Sequence, residues 1–282
     1  MRIRLFILFL FLASTVNAQQ DSTKATVTLA AMYNSNISYY GQVTPEKFPY
    51  VLFNATLRFP SGLYFSAGGY KLLNYGSTVS ETDLGIGYDY DFNEKFSAGI
   101  AYTHSYFPSN SPLLQASNNN NINGSAAYQW SWFKTDISLD LAFGSQTDGF
   151  ISFGNSKEID LGTVFNEKNS ISLTPTIEIT AGTTHFYETY IIEKNKRQHP
   201  NGKGQGKSDI APGTGKGNTA EIIENTANRF KLLSYNLKLP LTWSNGNFLA
   251  EASYQFSMLG NRKEENVSHQ QFFFGLAVYY QF

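Results

Sequence analysis

The clearest strand pattern in the sequence is in Phe272–Phe282, which reads FFFGLAVYYQF. Every second residue counted back from Phe282 is large and apolar, whereas the residues between them include Gln281, Ala277 and Gly275. A period of two indicates a β-strand with two unlike faces. Here the larger, apolar side chains share one face. In a barrel this pattern is typical of strands whose outer face meets lipid, because a soluble barrel turns its apolar face inward.

Four further segments repeat this alternation. In DLGIGYDYDF, residues 83–92, apolar and aromatic residues alternate with aspartate and glycine. The segments KTDISLDLAF (134–143), LSYNLKLPLTW (233–243) and FLAEASYQFSM (248–258) follow the same pattern. Each is about as long as a membrane-spanning strand, which needs roughly 9–11 residues. Because charged side chains avoid lipid, the charged face of each segment is predicted to face the lumen.

Short and long spacers alternate between the predicted strands. The short ones fit hairpin turns of about two to five residues and lie at 60–62, 93–95, 131–134, 166–169 and 244–247. The long ones are polar and lie at 35–49, 74–80, 109–120, 145–155, 194–228 and 260–268. We therefore predict an all-β fold, a closed antiparallel up-and-down transmembrane β-barrel of about 12 strands. An even strand number places both termini beside the short periplasmic turns, with the long loops extracellular.

Two positions depart from the regular alternation. Tyr70 and Leu72 fall on the opposite parity from Phe65, which indicates either a β-bulge in the strand over 64–73 or a wrong assignment of that strand. Pro175 lies inside the strand that starts at Ile171, and it predicts a local break in pairing because proline cannot donate to the ladder.

The N-terminus predicts export. Met1–Ala18 reads MRIRLFILFLFLASTVNA, with two arginines, a short apolar core and small residues before Gln19, as in a cleaved signal peptide. The apolar run is shorter than the roughly 20 residues of a spanning helix. Residues 19–282 are predicted to form a single barrel domain, in which 194–228 is a long flexible extracellular loop.

Composition excludes several classes of protein. The chain has no cysteine, which excludes a disulfide scaffold, a thiolate metal site and a cysteine nucleophile. Its formal net charge of −1 gives no sign of a nucleic-acid partner. Aromatic residues make up 16% of the chain and charged residues only 15%, although the mean hydropathy is −0.28. This combination suits a barrel with an apolar outer face and a wet lumen.

Aromatic residues cluster beside the predicted short turns, where amphipathic rings favour the membrane–water interface. The chain as a whole resembles the outer-membrane β-barrels of Gram-negative bacteria. The predicted interface residues are Phe59, Tyr90, Phe92, Trp130, Trp132, Trp243 and Tyr280.

The C-terminal strand carries the most specific part of that resemblance. Its alternating residues are similar to the motif by which the barrel-assembly machinery recognises proteins of this class. The resemblance implies an outer-membrane location, contact with membrane lipid and lipopolysaccharide, and assistance by that machinery during insertion, but no particular activity. The predicted insertion signal is Phe274, Leu276, Val278, Tyr280 and Phe282.

The predicted inward face carries three basic and nine acidic residues, and such an excess of negative charge attracts cations in a narrow lumen. We therefore expect a narrow, cation-preferring porin or small-solute channel. The alternative is a closed surface barrel, in which these charges pair with each other and the loops bind a partner or a glycan. The predicted lumen residues are Arg58, Asp83, Asp89, Asp91, Lys134, Asp136, Asp140, Glu158, Asp160, Glu178, Lys238 and Glu251.

No motif points to catalysis, a cofactor or a metal. The GQGKS stretch at 204–208 has Asn201 where a phosphate-binding loop needs glycine, and no strand–helix context surrounds it. The four histidines match no metal-ligand spacing. His104 and Ser105 are adjacent and therefore on opposite faces, whereas the outer-membrane phospholipases place these residues two apart. A lipid-hydrolysing enzyme with scattered rim residues is the less favoured alternative.

Overall fold

The structure is a computed structural model. Its described residues are 24–76, 78–109, 111–163, 169–187, 190, 230–260 and 267–282. The predicted signal peptide, residues 1–18, and the predicted extracellular loop, residues 194–228, lie outside the described residues. The described part of the chain contains no helix long and apolar enough to cross a membrane.

The described strands form one antiparallel sheet that closes into a barrel. The strand order is β11-β8-β7-β6-β5-β4-β3-β2-β1-β14-β13-β12-β10-β9, and a pairing between β11 and β12 completes the ring. Closure satisfies the backbone groups that lipid cannot. The strands are β1 (Thr26–Asn34), β2 (Tyr50–Arg58), β3 (Leu63–Leu72), β4 (Glu81–Asp91), β5 (Phe96–Tyr106), β6 (Asn120–Gln129), β7 (Lys134–Phe143), β8 (Thr147–Ser156), β9 (Ile159–Thr163), β10 (Asn169–Leu173), β11 (Thr176–Gly182), β12 (Lys231–Asn245), β13 (Phe248–Leu259) and β14 (Gln270–Gln281).

Twelve strands form the closed ring, and β9 and β10 are two extra short strands that extend it. Strand β10 continues into β11 along the same partner, because Leu173 pairs with Leu241 and Thr176 pairs with Lys238 of β12. The interruption falls at Pro175, so the predicted break in pairing is confirmed. Strands β8 and β9 are interrupted opposite this point, at residues 157–158.

The two faces of the strands are as the alternation predicts. In β14 the side chains at alternate positions from Phe272 to Tyr280 are 43–56% exposed, whereas Phe273 and Ala277 between them are 8% exposed. Leu84 and Ile86 of β4 are exposed in the same way. An apolar outer face of this kind is stable where lipid covers it.

The described short turns, the start of β1 and the end of β14 lie at one end of the barrel, which we call the turn end. Four of the five predicted turns are described, at residues 59–62, 92–95, 130–133 and 246–247, and the fifth lies mostly outside the described residues. Thr26 pairs with Arg58 and Thr28 with Gln281, so the first and last strands begin and end there, as predicted. We call the opposite end the loop end.

Two predictions about individual segments are wrong. Residues 145–155, predicted as a long loop, belong mostly to β8, and only residues 144–146 link it to β7. The predicted bulge in β3 is absent, since β3 pairs with β2 without a register shift from Tyr64 to Leu72.

Both errors have one physical cause. Near the loop end, Leu72 of β3 and Phe150 of β8 are buried inside the barrel rather than facing outward. Leu233 of β12, predicted on the outer face, is also fully buried, next to a register shift between Thr180 and Ala181. The prediction that apolar side chains face outward fails at these positions because the interior there holds an apolar core instead of water.

Candidate functional site

That core is built around loop 1, residues 35–49, which joins β1 to β2 and folds into the barrel. At its tip Tyr39 and Gln42 exchange two backbone hydrogen bonds of 2.8 and 2.9 Å. The two residues between them, Tyr40 and Gly41, have φ values of 49° and 81°. Two positive φ values in a two-residue link are the geometry of a type I′ hairpin turn. Positive φ is uncommon for tyrosine, so outside contacts must hold the tip in place.

Those contacts come from strands β6, β8 and β12. Gln42, 2% exposed, donates through Nε2 to the carbonyl oxygen of Leu233 in β12 at 2.9 Å. The Tyr40 ring stacks on Phe150 of β8 with ring centroids 3.6 Å apart. Asn121 of β6 donates through Nδ2 to the Tyr40 hydroxyl at 3.1 Å. Because β6 to β8 lie opposite β1 in the strand order, loop 1 crosses the lumen.

Close packing fixes the identity of the residue at the tip. A Cβ atom added to Gly41 would collide with Oγ and Cβ of Ser234.

The two tyrosines at the tip have raised pKa values. Burial, followed by the charge of Asp148, raises the pKa of Tyr39, and burial, followed by the charge of Asp140, raises the pKa of Tyr40. Both hydroxyls therefore stay neutral at physiological pH.

Three apolar clusters pack the rest of loop 1 against the loop end. Tyr39 and Tyr40 contact a cluster formed by Phe150, Phe186, Leu233 and their neighbours. A second cluster joins Ile37 and Phe48 of the loop to Leu72 and Leu113. A third joins Val43 to Leu259, Val267 and Phe273. Loop 1, predicted to be an external polar loop, is therefore an interior plug with its own core.

A buried carboxylate organises the segments around the tip. Asp148 of β8 is fully buried and accepts hydrogen bonds from Asn118 Nδ2 at 2.9 Å and Thr183 Oγ1 at 2.7 Å. The backbone N–H groups of His185 and Phe186 also donate to it, at 2.8 and 2.9 Å. Asp148 thus ties together the β5–β6 link and the segment after β11. Asp148 was not among the predicted site residues, because residues 145–155 read as a polar loop.

The predicted lumen charges are partly neutralised by pairing. Each of the three predicted basic residues lies within ion-pair distance of one predicted acid. Arg58 of β2 reaches past β3 to Asp89 of β4, and its guanidinium also lies 4.9 Å from the centre of the Tyr64 ring. The three pairs are Arg58–Asp89, Lys134–Asp136 (3.6 Å) and Lys238–Glu178 (2.8 Å).

The remaining predicted acids have no lysine or arginine within ion-pair distance among the described residues. Asp83, Asp140 and Glu251 are half-buried. By contrast, Asp91, Glu158 and Asp160 are exposed near the turn end, away from loop 1. Glu81 of β4, missed by the sequence analysis, is 5% exposed and accepts from Gln115 Nε2 at 3.1 Å.

A polar cavity of about 330 Å³ lies between the tip of loop 1 and the turn end. Its charged residues are two acids, Asp140 and Glu178, and one base, Lys238, and the rest of its wall is mostly neutral and polar. Six strands and the tip of loop 1 contribute to it. The lining residues are Ser38, Tyr40, Gly41, Asn123, Ser138, Asp140, Ser152, Glu178, Thr180, Asn236, Lys238 and Gln255.

The predicted interface aromatics lie at or near the turn end. Trp130 and Trp132 belong to the β6–β7 turn and are 49% and 68% exposed. Phe92, beside the β4–β5 turn, is 57% exposed. Their role at a membrane interface stays a prediction, and the same holds for Phe59, Tyr90, Trp243 and Tyr280.

The other candidate chemistry is sparse in the part of the chain that the structure describes. Within it no group of three or more histidine, aspartate or glutamate side chains is placed to hold a metal ion. His104 of β5 contacts Asn120, with 2.8 Å between Nδ1 and Oδ1, and its ring packs edge-on against Tyr106. His199 lies outside the described residues.

Comparison with known proteins supports the fold. No family model and no curated protein matches the chain. Among solved structures, it is similar to an outer membrane channel from Pseudomonas putida F1, with a TM-score of 0.51 and 12% identity over 95% of this chain and 98% of that one. The KdgM porin (TM-score 0.48, 10% identity, 90% and 99% covered) and LpxR from Salmonella typhimurium (0.47, 6%, 90% and 99%) are more distant. The chain has the fold of the outer-membrane β-barrels, as its sequence predicts.

Proposed function

We propose that the protein is an outer-membrane channel for small solutes that prefers cations, with loop 1 as its constriction. The observation that carries the proposal is the polar cavity of about 330 Å³ inside a closed barrel, directly beneath a loop that crosses the lumen. A twelve-strand barrel is wider than the eight-strand type that side chains fill and narrower than the 16–18-strand porins. Such a barrel has room for a narrow aqueous path.

The arrangement of charges supports the cation preference. Three acids are neutralised by Arg58, Lys134 and Lys238, so the surplus negative charge comes from the unpaired carboxylates. Asp140 lines the cavity, and each of its oxygens accepts a hydrogen bond, from Asn123 Nδ2 and from Ser138 Oγ, both at 2.8 Å. Neutral hydrogen-bond donors do not cancel the charge of a carboxylate, unlike a lysine or an arginine. A narrow lumen with low-dielectric walls concentrates that field on passing ions.

The cation preference is expected to depend on the unpaired lumen acids. Asp140→Asn combined with Glu251→Gln should move the reversal potential in a KCl gradient toward zero, because both changes remove unpaired negative charge. Glu158→Gln combined with Asp160→Asn is the matched control, since it removes the same number of charges at two predicted lumen acids that are exposed near the turn end, away from loop 1. Planar-bilayer recordings of the three proteins provide the measurement. An unchanged reversal potential in the first double variant, with open channels present, would contradict the cation preference.

The proposal includes delivery to the outer membrane by a cleaved signal peptide and insertion through the C-terminal motif. Tyr280→Ala combined with Phe282→Ala should lower the amount of folded barrel in the outer-membrane fraction several-fold. Gln281→Ala, on the opposite face of β14, is the control. Heat-dependent mobility on gels measures the folded fraction, and refolding of both variants in detergent separates recognition from stability. Equal amounts of folded barrel in cells for the two variants would argue against the motif.

Loop 1 also favours a second function, a closed surface barrel whose external loops bind a partner. In that case the folded protein should give no current steps in a planar bilayer, even after the plug has been removed. The channel predicts discrete steps, so the same recordings separate the two functions.

A further inference from the structure

The wall of the cavity beneath loop 1 is held rigid by its own hydrogen bonds. On one side, Asn123 of β6 donates to Ser138 Oγ at 2.9 Å and to Asp140 Oδ1 at 2.8 Å. Ser138 in turn donates to the other carboxylate oxygen of Asp140 at 2.8 Å. The three side chains fix one another and present the Asp140 carboxylate to the cavity. Preorganised polar groups of this kind lower the entropy cost of binding a solute.

A second network lines another part of the cavity wall. Glu178 of β11 accepts from Lys238 Nζ at 2.8 Å and from Asn236 Nδ2 at 3.1 Å. Asn236 accepts in turn from Ser257 Oγ at 2.6 Å, and Gln255 donates to Ser257 at 2.8 Å. These residues come from three neighbouring strands, so the network has a fixed geometry.

The two networks leave both hydrogen-bond acceptors and hydrogen-bond donors available to a solute. Each oxygen of a carboxylate has about two acceptor sites, so Asp140 and Glu178 can each accept further hydrogen bonds. The ammonium group of Lys238 keeps N–H donors beyond the one that binds Glu178. Hydroxyl groups both donate and accept, so a solute with several hydroxyls fits acceptors and donors together. Two carboxylates against one ammonium disfavour an anionic solute.

We propose that this cavity is a binding site for an uncharged, polyhydroxylated small solute of the saccharide type. A volume of about 330 Å³ is at the small end of ligand sites, which span roughly 300–1,000 Å³. Tyr40 and Gly41 cover the site from the loop end, so movement of loop 1 would uncover it. The use of the site during passage rests on the proposed channel function, whereas binding itself does not.

Isothermal titration of the detergent-folded barrel tests the site. Maltose serves as the uncharged probe, and glucuronate as the anionic one. We expect maltose to bind in the millimolar range and glucuronate to bind at least about tenfold more weakly. Asp140→Ala should weaken maltose binding about tenfold, because hydrogen bonds to a charged acceptor are among the stronger ones. Asn54→Ala in β2, which does not line the cavity, should leave it unchanged.

The outcomes separate this inference from the channel function. No heat with maltose, equal affinity in Asp140→Ala, or tighter binding of glucuronate would each overturn the proposed site. Asp140→Asn, which keeps the shape of the side chain, checks the result if the alanine variant folds poorly. Current steps without maltose binding would leave the channel standing and remove the site. Maltose binding without current steps would support the binding site and contradict the channel function.

Discussion

Removal of loop 1 should raise the single-channel conductance of the barrel by about threefold or more, because the loop fills the loop end of the lumen and covers the polar cavity beneath it. The deletion is feasible without disturbing the wall. Asn34 at the end of β1 pairs directly with Tyr50 at the start of β2, so a short glycine-rich turn can replace residues 35–49. The two strands then meet as an ordinary hairpin.

A single substitution gives a milder version of the same change. Gly41→Ala adds a Cβ that collides with Ser234, so the tip should leave its seat and the open state should become more frequent. Gly76→Ala is the matched control, because Gly76 also has a positive φ, 61°, but no atom lies within 4 Å of the added Cβ. Both variants place an alanine at a positive φ, and only the alanine at position 41 has the clash.

Planar-bilayer recordings of wild type, the loop deletion and the two glycine variants decide the role of the plug. A conductance that stays at the wild-type value after deletion would mean that loop 1 does not limit the path. A folded barrel that stays silent after deletion would favour the closed surface barrel. Equal effects of Gly41→Ala and Gly76→Ala would show that strain in a loop, rather than the seat at Ser234, controls opening.

The barrel wall could be predicted from the sequence because each strand carries its own signal. Alternation in segments such as 83–92 or 272–282 depends only on which residues lie two apart, and every membrane strand must satisfy the same lipid face. The break in pairing at Pro175 could be predicted in the same way, because the missing backbone N–H donor is a property of the proline itself.

The plug could not be predicted because its signals are long-range. Gln42 contacts Leu233, which is 191 positions away, and no local pattern in residues 35–49 announces that contact. The interior apolar residues Leu72, Phe150 and Leu233 were the available clue. Leu72 broke the alternation and could be read as a bulge, Phe150 lay in a segment that could be read as a loop, and Leu233 fitted the alternation as an outward-facing residue. The partner of Arg58 was hidden for the same reason, since Arg58 reaches Asp89 across an intervening strand.

Replacement of Asp148 by alanine should lower the free energy of unfolding by about 3 kcal/mol or more. The change leaves the buried side chain of Asn118, the half-buried hydroxyl of Thr183 and the backbone N–H groups of His185 and Phe186 without their acceptor. Each buried group that loses its partner costs about 1–3 kcal/mol. The new cavity in the wall adds to that cost.

The same substitution should also loosen loop 1, which distinguishes it from a general loss of stability. The backbone of Phe186 is held by Asp148, and its ring packs edge-on against Tyr39 at a centroid distance of 5.0 Å. Release of Phe186 therefore removes one of the contacts that hold loop 1 in the lumen. Urea unfolding in lipid or detergent measures the stability, and bilayer recordings of the folded fraction measure opening. Asp148→Asn keeps one carbonyl acceptor and should give an intermediate result, whereas Asp160→Ala, at an exposed aspartate, should change neither quantity. Lower stability with unchanged opening would separate Asp148 from the plug.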